Sequence, residues 1–365
     1  MNSELKYWVW LSMLEGISPR RKCILLDCFR DPVYIWEAGE AELKASGLCT
    51  PKVIRSLMDK DVRESITAAM DKINKCDADV ITLYDSCYPS ALKHTADPPI
   101  VLYCRGKLER DEVCVAVVGS RRATWYGLDM AKRLSRELAV RGITIVSGLA
   151  RGVDSQAHKG ALEGGGRTIA VLGCGVDRAY PPENRELMNK VMENGAVISE
   201  YLPGTEPVPY NFPARNRIIS GLSRGVAVVE ASERSGSLIT ADFALEQGRD
   251  VYAVPGNINS AYSTGTNRLI REGAKIVTGV GDIIEELNLE MTSENLNYSA
   301  KKSAGFNLSG DEKSIAQRLM SGPVHIDSIA RDCGLSIAAV SSVLVMLELS
   351  GFVEQLPGKF YKLTE

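Results

Sequence analysis

The chain has 365 residues, more than one ordinary domain needs, so two or three domains are expected. Its 43 Lys and Arg against 46 Asp and Glu leave a formal net charge of −3, which excludes a polyanion binder that works through bulk positive charge; any such function must concentrate its cations locally. Nine scattered cysteines without a C-x-x-C pair read as reduced, mostly buried thiols, and no run approaches the roughly 18 uninterrupted apolar residues of a membrane span. A cytoplasmic location away from any membrane is therefore expected.

The start, MNSELKYWVWLSMLEG, reads as an amphipathic helix and not a signal peptide, because charges precede an interrupted apolar stretch with no small-residue cleavage site. Residues 1–80 continue as short helices: apolar periodicity through Tyr7 to Leu14, a break at GISPRRK (16–22), a helix through Leu25 to Phe29 and another after GLCTPK (47–52). This N-terminal helical domain is of a small SAM or helix-hairpin-helix-like kind. Its turns at Gly16 and Gly47 are followed by basic residues, but Ser18 stands where a second glycine would be, so plain helical packing competes with DNA binding there.

From 81 to 110, aromatic and β-branched residues with Pro-rich turns suggest strands that extend the next domain. Apolar runs at 113–119, 143–148, 168–173, 196–201, 225–231 and 250–256 then alternate with amphipathic helical stretches. Val/Ile runs ending near glycine and each followed by a helix are what a parallel sheet buried on both faces requires. The fold class is α/β, a Rossmann-like doubly wound and mostly parallel sheet occupying residues 81–288. A polar, non-periodic linker is expected at 289–308. The tail, 309–365, reads as three short helices and a hairpin around Pro357-Gly358, the order of a winged helix.

In open α/β sheets ligands sit beyond the carboxyl ends of the strands. The loops there read Gly119-Ser120-Arg121-Arg122, then Gly148 to Gly152 with Arg151, then Gly173 to Arg178, then Ser235-Gly236-Ser237 ahead of a helix beginning near Leu238. Glycine allows close backbone approach, while serine and arginine supply donors for phosphate oxygens. Each glycine alone is also explained by strand-helix packing. The segment 207–221 adds Phe212, Arg215, Asn216 and Arg217 without an intervening acid: a ring for base stacking, an amide for a base edge, and charge for the backbone. Arginines paired with carboxylates and a core Phe212 form the competing reading.

The blocks GSRRATWYG (119–127), IVSGLARGVDSQAHKGAL (145–162), TIAVLGCGVDRAYPPENREL (168–187), NFPARNRIISGLS (211–223), VVEASERSGSLITADFALEQGRDVYAVPGNI (228–258) and GTNRLIREGA (265–274) together resemble the DNA-processing protein A (DprA/Smf) family. The resemblance implies a non-enzymatic protein that binds single-stranded DNA, protects incoming DNA during natural transformation, loads the RecA recombinase and dimerises through the Rossmann-like domain. By motif it implies phosphate held by Gly119, Ser120 and Arg121, a floor of Gly148, Arg151 and Gly152, nucleotide contacts from Phe212, Arg215, Asn216 and Arg217, and closure by Ser235, Gly236 and Ser237. Ala214 and Pro182 depart from basic residues found in some relatives, thinning the positive charge.

Catalysis is poorly supported. Three histidines, His94, His158 and His325, share no metal-binding motif, and no G-x-x-x-x-G-K-[ST] cradle exists, so neither cofactor nor metal is expected. His158 is the one acid-base candidate, with helix packing as its competing role. The rival reading is a nucleotide-processing enzyme of the phosphoribohydrolase (lysine-decarboxylase-like) type. RSGSLITADFALEQG carries Asp242 where that type has a working Glu, and lacks its paired glycines, which argues for binding without bond cleavage. The third tail helix, SIAAVSSVLVMLELSG, has no Lys or Arg, so a docking or regulatory role suits it better than duplex binding.

Overall fold

The structure, a computed structural model, describes residues 4–287, 310–319, 324–349, 352–356 and 358–363. The chain divides into two compact units, Met1–Asn295 and Leu296–Glu365. The segment read as a linker, 289–308, lies outside the described residues.

Seven helices come first: α1 (Leu5–Met13), α2 (Pro19–Phe29), α3 (Pro32–Glu37), α4 (Glu40–Ala45), α5 (Pro51–Leu57), α6 (Lys60–Glu64) and α7 (Ile66–Lys75). Three of them start the same way: Ser18, Asp31 and Thr50 accept the N–H of Arg21, Val33 and Val53, and proline follows where its missing N–H costs nothing. The GISPRRK break is thus the cap that launches α2. These helices do not keep a core to themselves. Trp8, Trp10, Leu25, Leu26 and Ile73 belong to one apolar cluster with strand residues Val118, Val146 and Ile198.

The sheet follows: β1 (Asp79–Thr82), α8 (Ser90–Lys93), β2 (Val101–Gly106), β3 (Cys114–Val118), α9 (Trp125–Val140), β4 (Thr144–Ser147), α10 (Val153–Glu163), β5 (Thr168–Leu172), α11 (Arg185–Glu193), β6 (Gly195–Ser199), α12 (Asn211–Leu222), β7 (Gly225–Val228), α13 (Gly236–Glu246), β8 (Asp250–Ala253), α14 (Thr264–Arg271), β9 (Lys275–Ile276) and α15 (Val280–Glu286). The strand order is β1-β2-β6-β5-β4-β3-β7-β8-β9. β3 to β9 are mutually parallel, while β1 and β2 pair antiparallel at one edge. All five residues of β3 are buried. Its alternate side chains serve two cores: Ala116 and Val118 pack with Ile218, Ile219 and Leu238 of α12 and α13, whereas Val115 and Val117 pack with Leu134, Ala157 and Ile283 of α9, α10 and α15. Each fully buried Ile or Val contributes about 1.5–3 kcal/mol, which ties both helical layers to the sheet.

The chain enters this parallel array at β3, steps outward through β4, β5 and β6, then returns through α12 to place β7 on the other side of β3. The loops after β3 and β7 diverge there, opening the crevice that doubly wound sheets use for ligands.

In the second unit, α16 (Gly310–Leu319), β10 (Val324–His325), α17 (Ile326–Cys333), α18 (Ile337–Leu349), β11 (Val353–Leu356) and β12 (Phe360–Leu363) form a winged helix with sheet order β10-β12-β11. Ile315, Ile329, Val340, Leu344 and Val353 fill its own core. Gly358, at φ 84°, makes the turn between β11 and β12, a conformation that glycine adopts without strain. Among the described residues no single helix is long and apolar enough to cross a membrane.

Candidate nucleic-acid interface

The loop after β3 is pinned on both sides at Ser120. Its N–H donates to the Glu230 carbonyl at 2.7 Å, and its carbonyl accepts from Val153 N–H at 3.2 Å. Gly152 sits at φ 76°, and a Cβ there would collide with the Ser120 carbonyl, so the entry to α10 can lie flat against the loop only as glycine. Ser120 Oγ accepts the Arg122 N–H at 3.1 Å, which curls the loop tip. Arg121 and Arg122 are exposed, and among the described residues no carboxylate reaches ion-pairing distance of either.

Opposite this loop stands the start of α12. The Phe212 ring lies against Tyr180 with centroids 5.3 Å apart at 28°, and the Arg121 guanidinium carbon is 5.4 Å from the same ring. A Cβ at position 173 would come 2.9 Å from Phe212 Cδ1, so Gly173 makes room for the ring. One turn further, Arg215 is buried; its Nη1 donates to the Gly148 carbonyl at 3.0 Å and to that of Val171. A Cβ on Gly148 would meet Arg215 Nη2 at 2.6 Å and Asp154 Oδ2 at 2.7 Å, so this glycine lets an acid and a base flank the backbone. Asp154 Oδ2 accepts from Gly148 N–H at 3.2 Å and Ala150 N–H at 3.4 Å. Burial raises the Asp154 pKa against the pull of Arg215, and burial lowers Arg215 to about 10, leaving it cationic at neutral pH.

Asn216 links the two walls, accepting from Arg215 Nε at 3.2 Å and donating to the Gly236 carbonyl at 3.2 Å. Ser235 caps α13, whose first residue is Gly236, two ahead of the sequence-based start at Leu238; Ser235 Oγ accepts Ser237 N–H at 3.4 Å and shares a 2.8 Å hydrogen bond with Ser237 Oγ. Together these groups enclose a cavity of about 570 Å³. Gly119, Ser120, Arg121, Phe212, Arg215, Asn216, Ser235, Gly236 and Ser237 all line it.

Four expected site residues do not line it. Arg217, two positions beyond Arg215 and so about 200° around α12, faces away. It is buried in an ion-paired cluster with Glu200 and with Asp97, whose Oδ2 lies 3.4 Å from its Nε and whose carbonyl accepts from Nη1 at 2.7 Å. Arg217 is therefore corrected from a nucleotide contact to a structural anchor. Arg151 is exposed but ion-paired with Glu183, and Gly148 and Gly152 act as the backbone supports already described. His158 takes its packing role: it is fully buried, its Nδ1 lies 2.7 Å from Thr168 Oγ1, and burial, with Arg215 nearby, pushes its pKa down to about 3. Asp242 is exposed on α13 and outside the cavity.

Sequence reasoning missed Tyr180, Asp154 and Glu230. Glu230 is 2% exposed, two residues beyond the end of β7, and its two carboxylate oxygens accept the N–H and hydroxyl of Thr124 at 2.8 and 2.7 Å. An acid closing an otherwise apolar strand run was the available signal.

The family described as DNA recombination-mediator protein A matches residues 79–288, from the first strand of the sheet past its last helix, and the DprA winged helix domain matches residues 299–359. Protein Smf of Escherichia coli (strain K12) is 39% identical over 308 residues, covering 82% of each chain. The chain belongs to the DprA/Smf family. Within it, DNA processing protein DprA of Streptococcus pneumoniae (strain ATCC BAA-255 / R6) is 47% identical over 56% of this chain and 73% of its own. The X-ray structure of DNA processing protein A from Streptococcus pneumoniae superimposes with a TM-score of 0.66 at 37% identity, covering 77% of this chain and 97% of that one. DNA processing protein A from Helicobacter pylori, solved for its single-stranded DNA binding mode, superimposes with a TM-score of 0.51 at 34% identity over 58% of this chain and 97% of that one.

Proposed function

We propose that this DprA/Smf protein binds single-stranded DNA in the cavity between the loop after β3 and the start of α12. Backbone phosphates meet Ser120, Arg121, Arg122 and the N–H groups opening α13, while bases lie against the Tyr180–Phe212 pair. The observation that carries this reading is the pair of exposed arginines, without carboxylate partners among the described residues, beside an aromatic stack at the switch point of a chain whose net charge is −3. The Helicobacter pylori relative supports it from the side of the family. The chain acts by binding, without bond cleavage.

Family membership and the recombination-mediator description support a wider role: the protein works in the cytoplasm, protects strands entering during natural transformation, hands them to RecA, and does so as a homodimer through its α/β unit. The winged-helix unit serves docking or regulation, since α18 carries no Lys or Arg. The deciding experiment is a titration of the full chain with single-stranded and duplex DNA of one sequence. A marked preference for the single strand is expected; equal or tighter duplex binding, or release of free base from nucleoside monophosphates, would contradict the reading.

A further inference from the structure

A second hollow, of about 460 Å³, adjoins the cavity. Thr124, Tyr126, Glu230, Pro255 and Asn257 line it. The two hollows have no lining residue in common but draw on the same two chain segments. The loop that presents Ser120, Arg121 and Arg122 to the first runs on to Thr124 in the second, and the turn that lends Tyr262 to the first lends Ser260 and Ser263 to the second. Between the lining residues Thr124 and Tyr126, at the first position of α9, stands Trp125, 80% exposed. Tyr126, which lines the second hollow, and Tyr262, which lines the first, are 43% and 40% exposed. A single exposed apolar residue needs no explanation, but a tryptophan this exposed, followed by an exposed tyrosine and three residues beyond arginines that have no carboxylate partner among the described residues, is the composition of a stacking platform.

We infer that Trp125 and the hollow beside it form a second nucleotide subsite, which takes the next bases of a single strand leaving the first cavity. The inference rests on the proposed single-strand binding and extends it. The chemistry sorts the nucleotide's parts. Glu230 borders the hollow but is 2% exposed, its two oxygens taken by the N–H and hydroxyl of Thr124. A carboxylate at its border repels phosphate, so the base, not the phosphate, lies on this side, stacked on Trp125. The phosphates pass over Arg121 and Arg122. Sequence preference is weak, because every base has a face to stack.

Trp125 supplies its own reporter. Of the four tryptophans, Trp8 and Trp10 are buried and Trp36 is half-buried against Tyr7 and Trp10. Oligothymidylates of increasing length are titrated against the full chain, following tryptophan emission and affinity together. Affinity is expected to step up at the length where emission first changes. Trp125→Ala is expected to remove that step, weakening longer strands between about fivefold and about a hundredfold while leaving the shortest bound strands unaffected, and Trp125→Phe to retain most of it. Native affinity of Trp125→Ala at every length overturns the subsite and leaves the first cavity standing. So does loss of self-association in Trp125→Ala without loss of DNA affinity, which assigns the ring to an interface between copies. Wild-type protein that binds no length removes the first cavity's reading, and the subsite with it.

Discussion

The loop after β3 and helix α12 each bring two arginines to the same end of the sheet, and the two pairs are spent differently. Arg121 and Arg122 are exposed and lack carboxylate partners among the described residues, with Arg121 resting near the Phe212 ring. Arg215 and Arg217 are buried, one bonded to strand-end carbonyls and the other locked to Glu200 and Asp97. Cationic residues around the cavity thus divide into exposed ones, free to meet a ligand, and buried ones that hold its walls. In a chain of net charge −3 the first kind need not be numerous. On the proposed reading, the two guanidinium groups of a pinned loop supply the local positive charge that a polyanion needs.

Substitutions test this division. The largest effect is expected from Arg215→Ala, which strips the Gly148 and Val171 carbonyls of their donor and leaves Asp154 without a counter-charge; it is expected to cost about 3–5 kcal/mol of stability, read from the urea midpoint. A midpoint within error of wild type would place Arg215 among the ligand-facing arginines instead. Arg217→Ala is expected to cost less, about 1–3 kcal/mol, because Glu200 and Asp97 are partly solvated and can rehydrate. Under conditions where the variant remains folded its single-strand affinity should equal the wild type's; a loss would return Arg217 to the binding surface.

Acid offers a milder probe of the buried side. His158 has its folded pKa pushed down to about 3 from 6.5, so below pH 6.5 the unfolded chain takes up a proton that the folded chain refuses. Its contribution to stability is complete above pH 6.5 and declines as pH falls towards 3, with a slope of up to about 1.4 kcal/mol per pH unit. A His158→Gln variant should show a flatter acid limb in stability measurements across that window. An unchanged limb would mean that other groups carry the acid sensitivity.

The sheet was readable because the parallel strands β3 to β7 are buried on both faces and so appear as near-continuous apolar runs. β9 escaped notice, since Lys275–Ile276 has two residues and no run to show. The winged helix followed from helix count and the Gly358 turn. The helical start was legible as helices but not in its packing. Nothing local announces that Trp10 and Leu25 share a core with sheet residues far along the chain. At the site, the glycines read as places where a ligand could approach the backbone, while what approaches Gly148 in the fold is Arg215 and what approaches Gly152 is the Ser120 carbonyl. Phe212, Arg215, Asn216 and Arg217 read as one cluster because they are adjacent in sequence. The helical rotation that sends Arg217 to the opposite face was available from spacing alone, whereas its partners Glu200 and Asp97 come from segments that only the fold brings together. Tyr180 reaches Phe212 by the same long-range route.

The central claim, that phosphate is held by the loop arginines and not by those of α12, is tested most directly by the salt dependence of single-strand affinity in wild type, Arg121→Ala and Arg217→Ala. Arg121→Ala is expected to weaken binding to every sequence alike and to reduce the slope of log affinity against log salt by about 0.7 for the lost phosphate contact, with Arg217→Ala parallel to wild type. A slope unchanged in Arg121→Ala but reduced in Arg217→Ala would contradict it.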